Sequence, residues 1–252
     1  MTVAPEVTLG GFADRLVSRY AAASTDREIR KLRAWLAALD LLDRPWLVLG
    51  SAPSPTLPSE IGSYARIDIN NAGSAAAALG LGRADLTIRA KTKSWTEHDQ
   101  LDTRGLLWVH SLPARVLPML LLGKPYRHIG CVTRLRKMTR ERMVMQVSSV
   151  SVENIGDRGK VSNGVAAICC ALTMGVPKVV VAGISLRKTG HSHDQLGRKR
   201  LQVEEDAIVL RALSRHGRVF TTEPELAEDT GIAALPVEPT DIAGIPVRKT
   251  HR

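Results

Sequence analysis

The sequence is poor in aromatic residues and cysteines, and it has no long apolar run. Aromatic residues make up only 4% of the 252 residues, so a buried core has to consist mainly of Leu, Val, Ala and Ile. Three cysteines, two of them adjacent in an apolar stretch, indicate small core residues and not a disulfide framework. The apolar stretch 116–123 is far shorter than the roughly 20 residues that cross a bilayer. The first residues also lack the pattern of a signal peptide, and we therefore expect a cytoplasmic protein.

Acidic residues are too few to balance the basic ones. The 35 lysines and arginines against 25 acidic residues leave a formal net charge of +10, which predicts an acidic partner: a nucleotide, a nucleic acid, an anionic lipid surface or an acidic glycan. A basic run carries Arg134, Arg136, Arg140 and Arg142. This run is typical of a solvated face, and it also suits a clamp on a diphosphate, a phosphorylated acceptor or a lipid head group. Nucleic acid is the least favoured partner, because no aromatic residues are interleaved for base stacking.

Short apolar runs alternate with helical patterns along the chain. The predicted strands are 46–50, 66–70, 85–89, 106–110, 126–132, 178–183 and 218–221. The predicted helices are 11–42, 72–81, 113–122, 163–174 and 201–216, and Gly175 is predicted to end the fourth. This order predicts a single α/β domain with a Rossmann-like, mainly parallel sheet and helices on both faces.

The predicted organisation has three parts and one insert. Residues 1–43 are expected to form a helical segment packed on the core, residues 44–232 the nucleotide-binding domain, and residues 233–252 an extended tail. Residues 133–160 show no clear period, which indicates a long irregular insert that acts as a lid or binding loop.

Small and polar residues directly follow the first two predicted strands, where ligands of parallel sheets bind. Gly50, Ser51 and Ser54 lie in a tight turn whose backbone N–H groups suit a phosphate or ribose, or which merely leads out of the strand. Asn70 and Asn71 offer amides for a base edge or sugar hydroxyl, and Asn is equally typical of a turn.

Two later segments also carry candidate functional groups. Ser162, Asn163 and Gly164 open a helix, where they cap it, form an anion site, or do both. His191 and His193, followed by an aspartate, follow the predicted strand 178–183. Histidines in such a loop are candidates for a general base near neutral pH, for metal ligands, or for a plain surface loop.

Placed in order, these segments resemble bacterial sialyltransferases of glycosyltransferase families 29 and 42. LVLGSAPSP at 47–55 is similar to the first strand of those families and its glycine-rich loop, and IDINNAG at 67–73 to the segment whose Asn touches the donor nucleotide. The stretch 160–186 resembles their Ser/Thr-x-Gly helix and the strand after it, and GHS at 190–192 the segment bearing their catalytic histidine.

The resemblance implies an enzyme that moves sialic acid, Kdo or a related acid sugar from a CMP donor to a glycan or glycolipid hydroxyl, peripherally at the inner membrane face. It implies an inverting single displacement without an essential metal or other cofactor. The residues that would hold the donor are Gly50, Ser51, Ser54, Asn70, Asn71, Ser162, Asn163 and Gly164. His191 would deprotonate the acceptor hydroxyl, and the arginines of the basic run together with His193 would contact phosphate or acceptor.

Two other functions remain open from the sequence. A pterin pyrophosphokinase-like enzyme has a similar glycine-rich loop, and it would prefer ATP and need magnesium. A non-enzymatic binder of acidic polymers would depend on the +10 charge alone, and its affinity would collapse with salt.

Overall fold

Residues 9–90, 101–122, 128–190 and 201–236 are described by the structure, a computed structural model. In these residues eight strands form one sheet in which every neighbouring pair is parallel. The strands are β1 (Trp46–Leu49), β2 (Ala65–Ile69), β3 (Ala84–Ala90), β4 (Asp102–Val109), β5 (His128–Leu135), β6 (Val179–Ala182), β7 (Val219–Thr221) and β8 (Ala233–Ala234). The helices are α1 (Leu9–Ala38), α2 (Ala72–Ala78), α3 (Leu117–Leu120), α4 (Lys137–Ser148), α5 (Asn163–Met174), α6 (Val203–Leu213) and α7 (Pro224–Thr230).

The order of the strands reverses once, next to β1. Across the sheet they run β5-β4-β3-β2-β1-β6-β7-β8, so the chain moves outward from β1 to β5 and then returns to the other side of β1. The crevice between β1 and β6, at their carboxyl ends, is where open α/β sheets bind ligands. The predicted Rossmann-like α/β fold with a parallel sheet is confirmed.

Helices cover both faces of the sheet. One face packs against α1, α4, α5 and α6 in the largest apolar core, and Leu32 and Leu36 of α1 lie fully buried there. The other face packs against α2 around β1 and β6, and against α3 at the edge formed by β4 and β5. Within the described residues, no helix has the length and hydropathy that a bilayer crossing requires. The division at residues 43 and 232 stays a prediction.

The prediction of an irregular insert at 133–160 was wrong over its first half. Residues 133–135 continue β5, and α4 follows as a regular helix of 12 residues that packs on α5. The apolar period is weak because the buried face of α4 includes Thr139, Arg140 and Ser148 beside Met143 and Val144. A helix that buries polar side chains does not show the apolar stripe by which amphipathic helices are found.

Candidate functional site

The turns after β2 and before α5 meet at the carboxyl edge of the sheet. The side-chain amide of Asn163 donates a hydrogen bond from Nδ2 to Oδ1 of Asn70 at 2.8 Å, across 93 residues of sequence. The Asn70 backbone has a positive φ of 54° and its carbonyl accepts a hydrogen bond from Arg89 at 2.8 Å. Both asparagines are half-buried, whereas Asn71 is buried at the start of α2. Of the two adjacent asparagines, Asn70 is therefore the one that faces this edge.

A buried arginine holds Asn163 from behind. Arg140 of α4 donates to the carbonyl of Val161 at 2.7 Å and to Oδ1 of Asn163 at 3.3 Å. Burial lowers the pKa of Arg140, and the nearby carboxylates of Glu141 and Asp206 oppose that shift. With its oxygen facing the guanidinium, the Asn163 amide is oriented so that its nitrogen points to Asn70. The arginine thus fixes the geometry of the asparagine pair and places a positive charge behind it.

The turn after β1 lies against the turn after β6. Ala52 donates its backbone N–H to the carbonyl of Gly183 at 2.8 Å. A Cβ at Gly50 would press against that same carbonyl oxygen, and Gly183 has a positive φ of 63°. Only glycine allows this approach of two backbones. Ser51 is half-buried in the turn, and Ser54 is exposed with a positive φ of 51°.

The start of α5 closes the site from one face of the sheet. Ser162 is the N-cap: its Oγ accepts from the N–H of Val165 at 3.4 Å, as predicted for a cap. The N–H of Ser162 donates to the buried carboxylate of Asp206 at 2.7 Å. Gly164 packs so closely that a Cβ there would lie 2.6 Å from Cδ1 of Ile184. The positive end of this 12-residue helix therefore lies beside the crevice between β1 and β6.

Sequence reasoning missed the carboxylate that ties these turns together. Glu223 follows β7 and is only 1% exposed. Its Oε1 accepts from the N–H groups of Gly183 at 2.7 Å and Thr56 at 3.0 Å, and its Oε2 pairs with Nζ of Lys188 at 3.1 Å. Burial opposes the charge of Lys188, but hydrogen bonds to Glu223 and Glu225 outweigh it and raise the pKa of Lys188. The signal that could have marked Glu223 is its position two residues after the predicted strand 218–221.

The structure disperses the four arginines of the basic run. Arg136 and Arg142 form ion pairs with acidic residues of α1, Glu28 at 2.6 Å and Asp26 at 3.0 Å. Arg134 donates to a loop carbonyl after β4 at 3.0 Å. Of the four, Arg140 alone has a hydrogen bond to a predicted site residue among the described contacts.

The histidines of the predicted catalytic loop, His191 and His193, lie outside the described residues. The described part of that loop ends at Gly190, eight residues after β6 ends beside β1. Within the described ranges, no three His, Cys, Asp or Glu side chains come together as a metal site. The roles assigned to these histidines, and the absence of a metal requirement, stay predictions. A groove of about 380 Å³, lined by residues including Ser149 and Arg215, lies elsewhere, between the end of α4 and α6.

Comparison with known proteins finds similar folds but no family. No family model and no curated protein matches the chain. Solved structures similar to it include the sialyltransferase CstII in complex with trisaccharide acceptor and CMP, with a TM-score of 0.48 and 11% identity over 77% of this chain and 86% of that chain. CstII from Campylobacter jejuni with cytidine-5'-monophosphate has a TM-score of 0.48 and 13% identity over 77% and 85%.

The monofunctional alpha-2,3-sialyltransferase Cst-I from Campylobacter jejuni has a TM-score of 0.44 and 10% identity, over 77% of this chain and 81% of that chain. The class that the sequence motifs resemble is thus found among the similar solved structures.

Proposed function

We propose that this chain is an inverting glycosyltransferase that moves sialic acid, Kdo or a related acid sugar from a CMP donor to a hydroxyl of a glycan or glycolipid. The observation that carries the proposal is the hydrogen bond between Asn70 and Asn163. It joins two turns whose motifs, 93 residues apart, each resemble a donor-binding segment of sialyltransferases. A coincidental resemblance of two such distant turns gives no reason for their asparagine side chains to be in contact.

The chemistry of the site suits an anionic nucleotide. The N-terminus of α5 and the guanidinium of Arg140 favour negative charge at this edge of the sheet, and the buried carboxylate of Asp206 offsets part of that charge. Oδ1 of Asn70 accepts from Asn163 at 2.8 Å and from the N–H of Ala90 at 3.4 Å. Its Nδ2 is then the group that meets a ligand, as a hydrogen-bond donor. In the proposed site, the turn at 50–54 after the adjacent strand β1 supplies further backbone N–H groups.

In the proposed reaction, the acceptor oxygen forms a bond to the anomeric carbon of the sugar while the bond from that carbon to the CMP phosphate oxygen breaks. CMP leaves with the electron pair, and His191 takes the proton of the acceptor hydroxyl. Positive charge near the leaving phosphate stabilises this transition state more than the ground state, because negative charge grows there as the bond breaks. No metal is required for this step.

The first test compares two nucleotides by calorimetry. We expect CMP to bind with little dependence on salt, and more tightly than ATP with magnesium. Preference for ATP with magnesium would favour the pyrophosphokinase-like alternative and contradict the proposal. Binding of acidic polymers that CMP does not compete with, and that salt abolishes, would favour the non-enzymatic alternative.

The second test removes the proposed base. His191→Ala is expected to lower transfer from a CMP-sugar by about 10²–10⁴-fold while CMP binding is unchanged, because the base acts on the acceptor. The matched control is His216→Ala, whose ring contacts the carbonyl of Val147 at 2.8 Å near the end of α4. Full turnover of the His191 variant would remove that residue from the mechanism.

A further inference from the structure

An apolar patch lies exposed over the edge of the sheet formed by β4 and β5. Within the segment 117–122, Leu117 and Leu121 face inward and pack on Leu106 and Trp108 of β4. The remaining large side chains of this region face outward. They are Leu112, Met119, Leu120 and Leu122, with exposures of 41%, 69%, 41% and 78%. We call these four residues the α3 patch.

The α3 patch is not explained by the folding of this chain. The inner face of the segment already covers the sheet, so the outer side chains add apolar surface to water without adding to the core. Four large exposed aliphatic residues within eleven positions mark a surface that a protein partner or a membrane covers. The charge around the patch indicates which of these two covers it.

The segment that carries the patch contains no acidic residue. Between Asp102 and Glu141 the sequence has eight lysines and arginines and neither aspartate nor glutamate. Arg115 lies exposed inside the segment, and Arg134 bonds the carbonyl of Ser111, next to Leu112. The chain that carries and flanks the patch is therefore positive or neutral throughout residues 103–140.

We propose that the α3 patch inserts into the interface of an anionic lipid membrane, with Arg115 beside the lipid head groups. Aliphatic side chains enter the acyl boundary, and nearby cations are attracted by acidic lipids. A second copy of this chain fits less well, because a two-fold contact would bring two positive segments together. Nucleic acid fits less well too, because methionine and leucine offer neither stacking nor hydrogen bonds to bases.

The position of the patch suits the acceptor of the proposed reaction, and in this respect the inference rests on the proposed function. The patch begins where β4 ends, at the same edge of the sheet as Asn70 after β2. One strand, β3, lies between β4 and β2, so these two strands are roughly 10 Å apart. A membrane bound at the α3 patch would therefore hold a glycolipid close to the donor site.

The test measures binding of the full chain to vesicles by flotation. We expect binding to mixed phosphatidylcholine–phosphatidylglycerol vesicles, weakening with salt, and no binding to phosphatidylcholine alone. The double variant Met119→Ser/Leu122→Ser keeps the net charge and should lower vesicle affinity by about tenfold or more. Its matched control is Met145→Ser/Leu201→Ser, which changes residues of 52% and 42% exposure elsewhere and should bind like the unmodified chain.

The charge is tested by a second matched pair. Arg115→Glu should weaken binding more than Arg30→Glu, which makes the same change of net charge at an exposed position of α1. Equal binding of patch and control variants, or no binding by the unmodified chain, would overturn the inference. The inference would also be overturned if sedimentation showed that the unmodified chain is a dimer and the double variant a monomer, while both have the same vesicle affinity. CMP calorimetry needs no vesicle, so failure of this inference is distinct from failure of the proposed function.

Discussion

Removal of the Glu223 carboxylate should loosen the crevice between β1 and β6. This side chain holds two backbone N–H groups from different loops and one ammonium group, at 2.7 Å, 3.0 Å and 3.1 Å. In Glu223→Ala the N–H groups of Gly183 and Thr56 lose their acceptor, and Lys188 loses a buried partner. Hydrogen bonds to charged groups contribute about 1.5–3 kcal/mol each, so the loss of the two backbone hydrogen bonds should lower the free energy of unfolding by about 3–6 kcal/mol.

Glu223→Gln separates the two roles of the carboxylate, as an acceptor for the backbone N–H groups and as the charged partner of Lys188. Its amide oxygen retains an acceptor for the two N–H groups, while its amide nitrogen faces the ammonium of Lys188. We expect the free energy of unfolding to fall by only about 1–2 kcal/mol. The control is Glu225→Gln. It removes a partly exposed carboxylate that lies 3.1 Å from the same ammonium and that holds no other described loop. We expect it to lower the free energy of unfolding by less than about 1 kcal/mol.

Urea unfolding gives the free energies, and CMP calorimetry shows whether the loops still form the site. We expect Glu223→Ala to weaken CMP binding, and Glu225→Gln to leave it unchanged. A Glu223→Ala variant as stable as Glu225→Gln would refute the view that this carboxylate ties the two loops together.

Three further predictions follow from buried groups at or near the site. Burial raises the pKa of Asp68 to about 6, so the folded chain retains this proton over a pH range in which the unfolded chain has lost it. Its contribution to the free energy of unfolding therefore falls by about 2 kcal/mol from pH 4 to pH 6, and Asp68→Asn should abolish that slope in urea titrations. Gly164→Ala should cost about 1–3 kcal/mol through the clash with Ile184, and Ile184→Val should rescue it. Arg140→Met should raise the CMP dissociation constant about tenfold, because Asn163 loses its orientation.

Two of these predictions have a matched control variant. Gly62→Ala introduces a Cβ with no atom within 4 Å and should leave stability nearly unchanged. Arg33→Met removes a guanidinium that donates to the carbonyl of Met174 at 2.9 Å, at the other end of α5, and should leave CMP affinity unaltered. The first prediction would be contradicted if Asp68→Asn retained the pH slope of the unfolding free energy. The second would be contradicted if Ile184→Val did not restore the stability of Gly164→Ala. Equal CMP affinities for the two arginine variants would contradict the third.

The sequence was informative wherever burial is apolar and local. β1 and β6 are continuous apolar runs, and α5 is apolar over most of its length and ends at Gly175 as predicted. It was uninformative for α4, whose buried face carries Arg140 and other polar residues. Pattern reading assumes that polar residues face water, and that assumption fails where a helix supports a polar site.

By itself, the sequence determined the alternation of strands and helices and the turns that follow the strands, because these depend on neighbours within a few residues. Tertiary structure alone decided which polar groups meet. It joined Asn70 to Asn163, placed Arg140 behind them, and sent Arg136 to a carboxylate on α1. Such pairings depend on how distant segments are packed, because each cation takes whichever acceptor the fold brings within hydrogen-bonding distance.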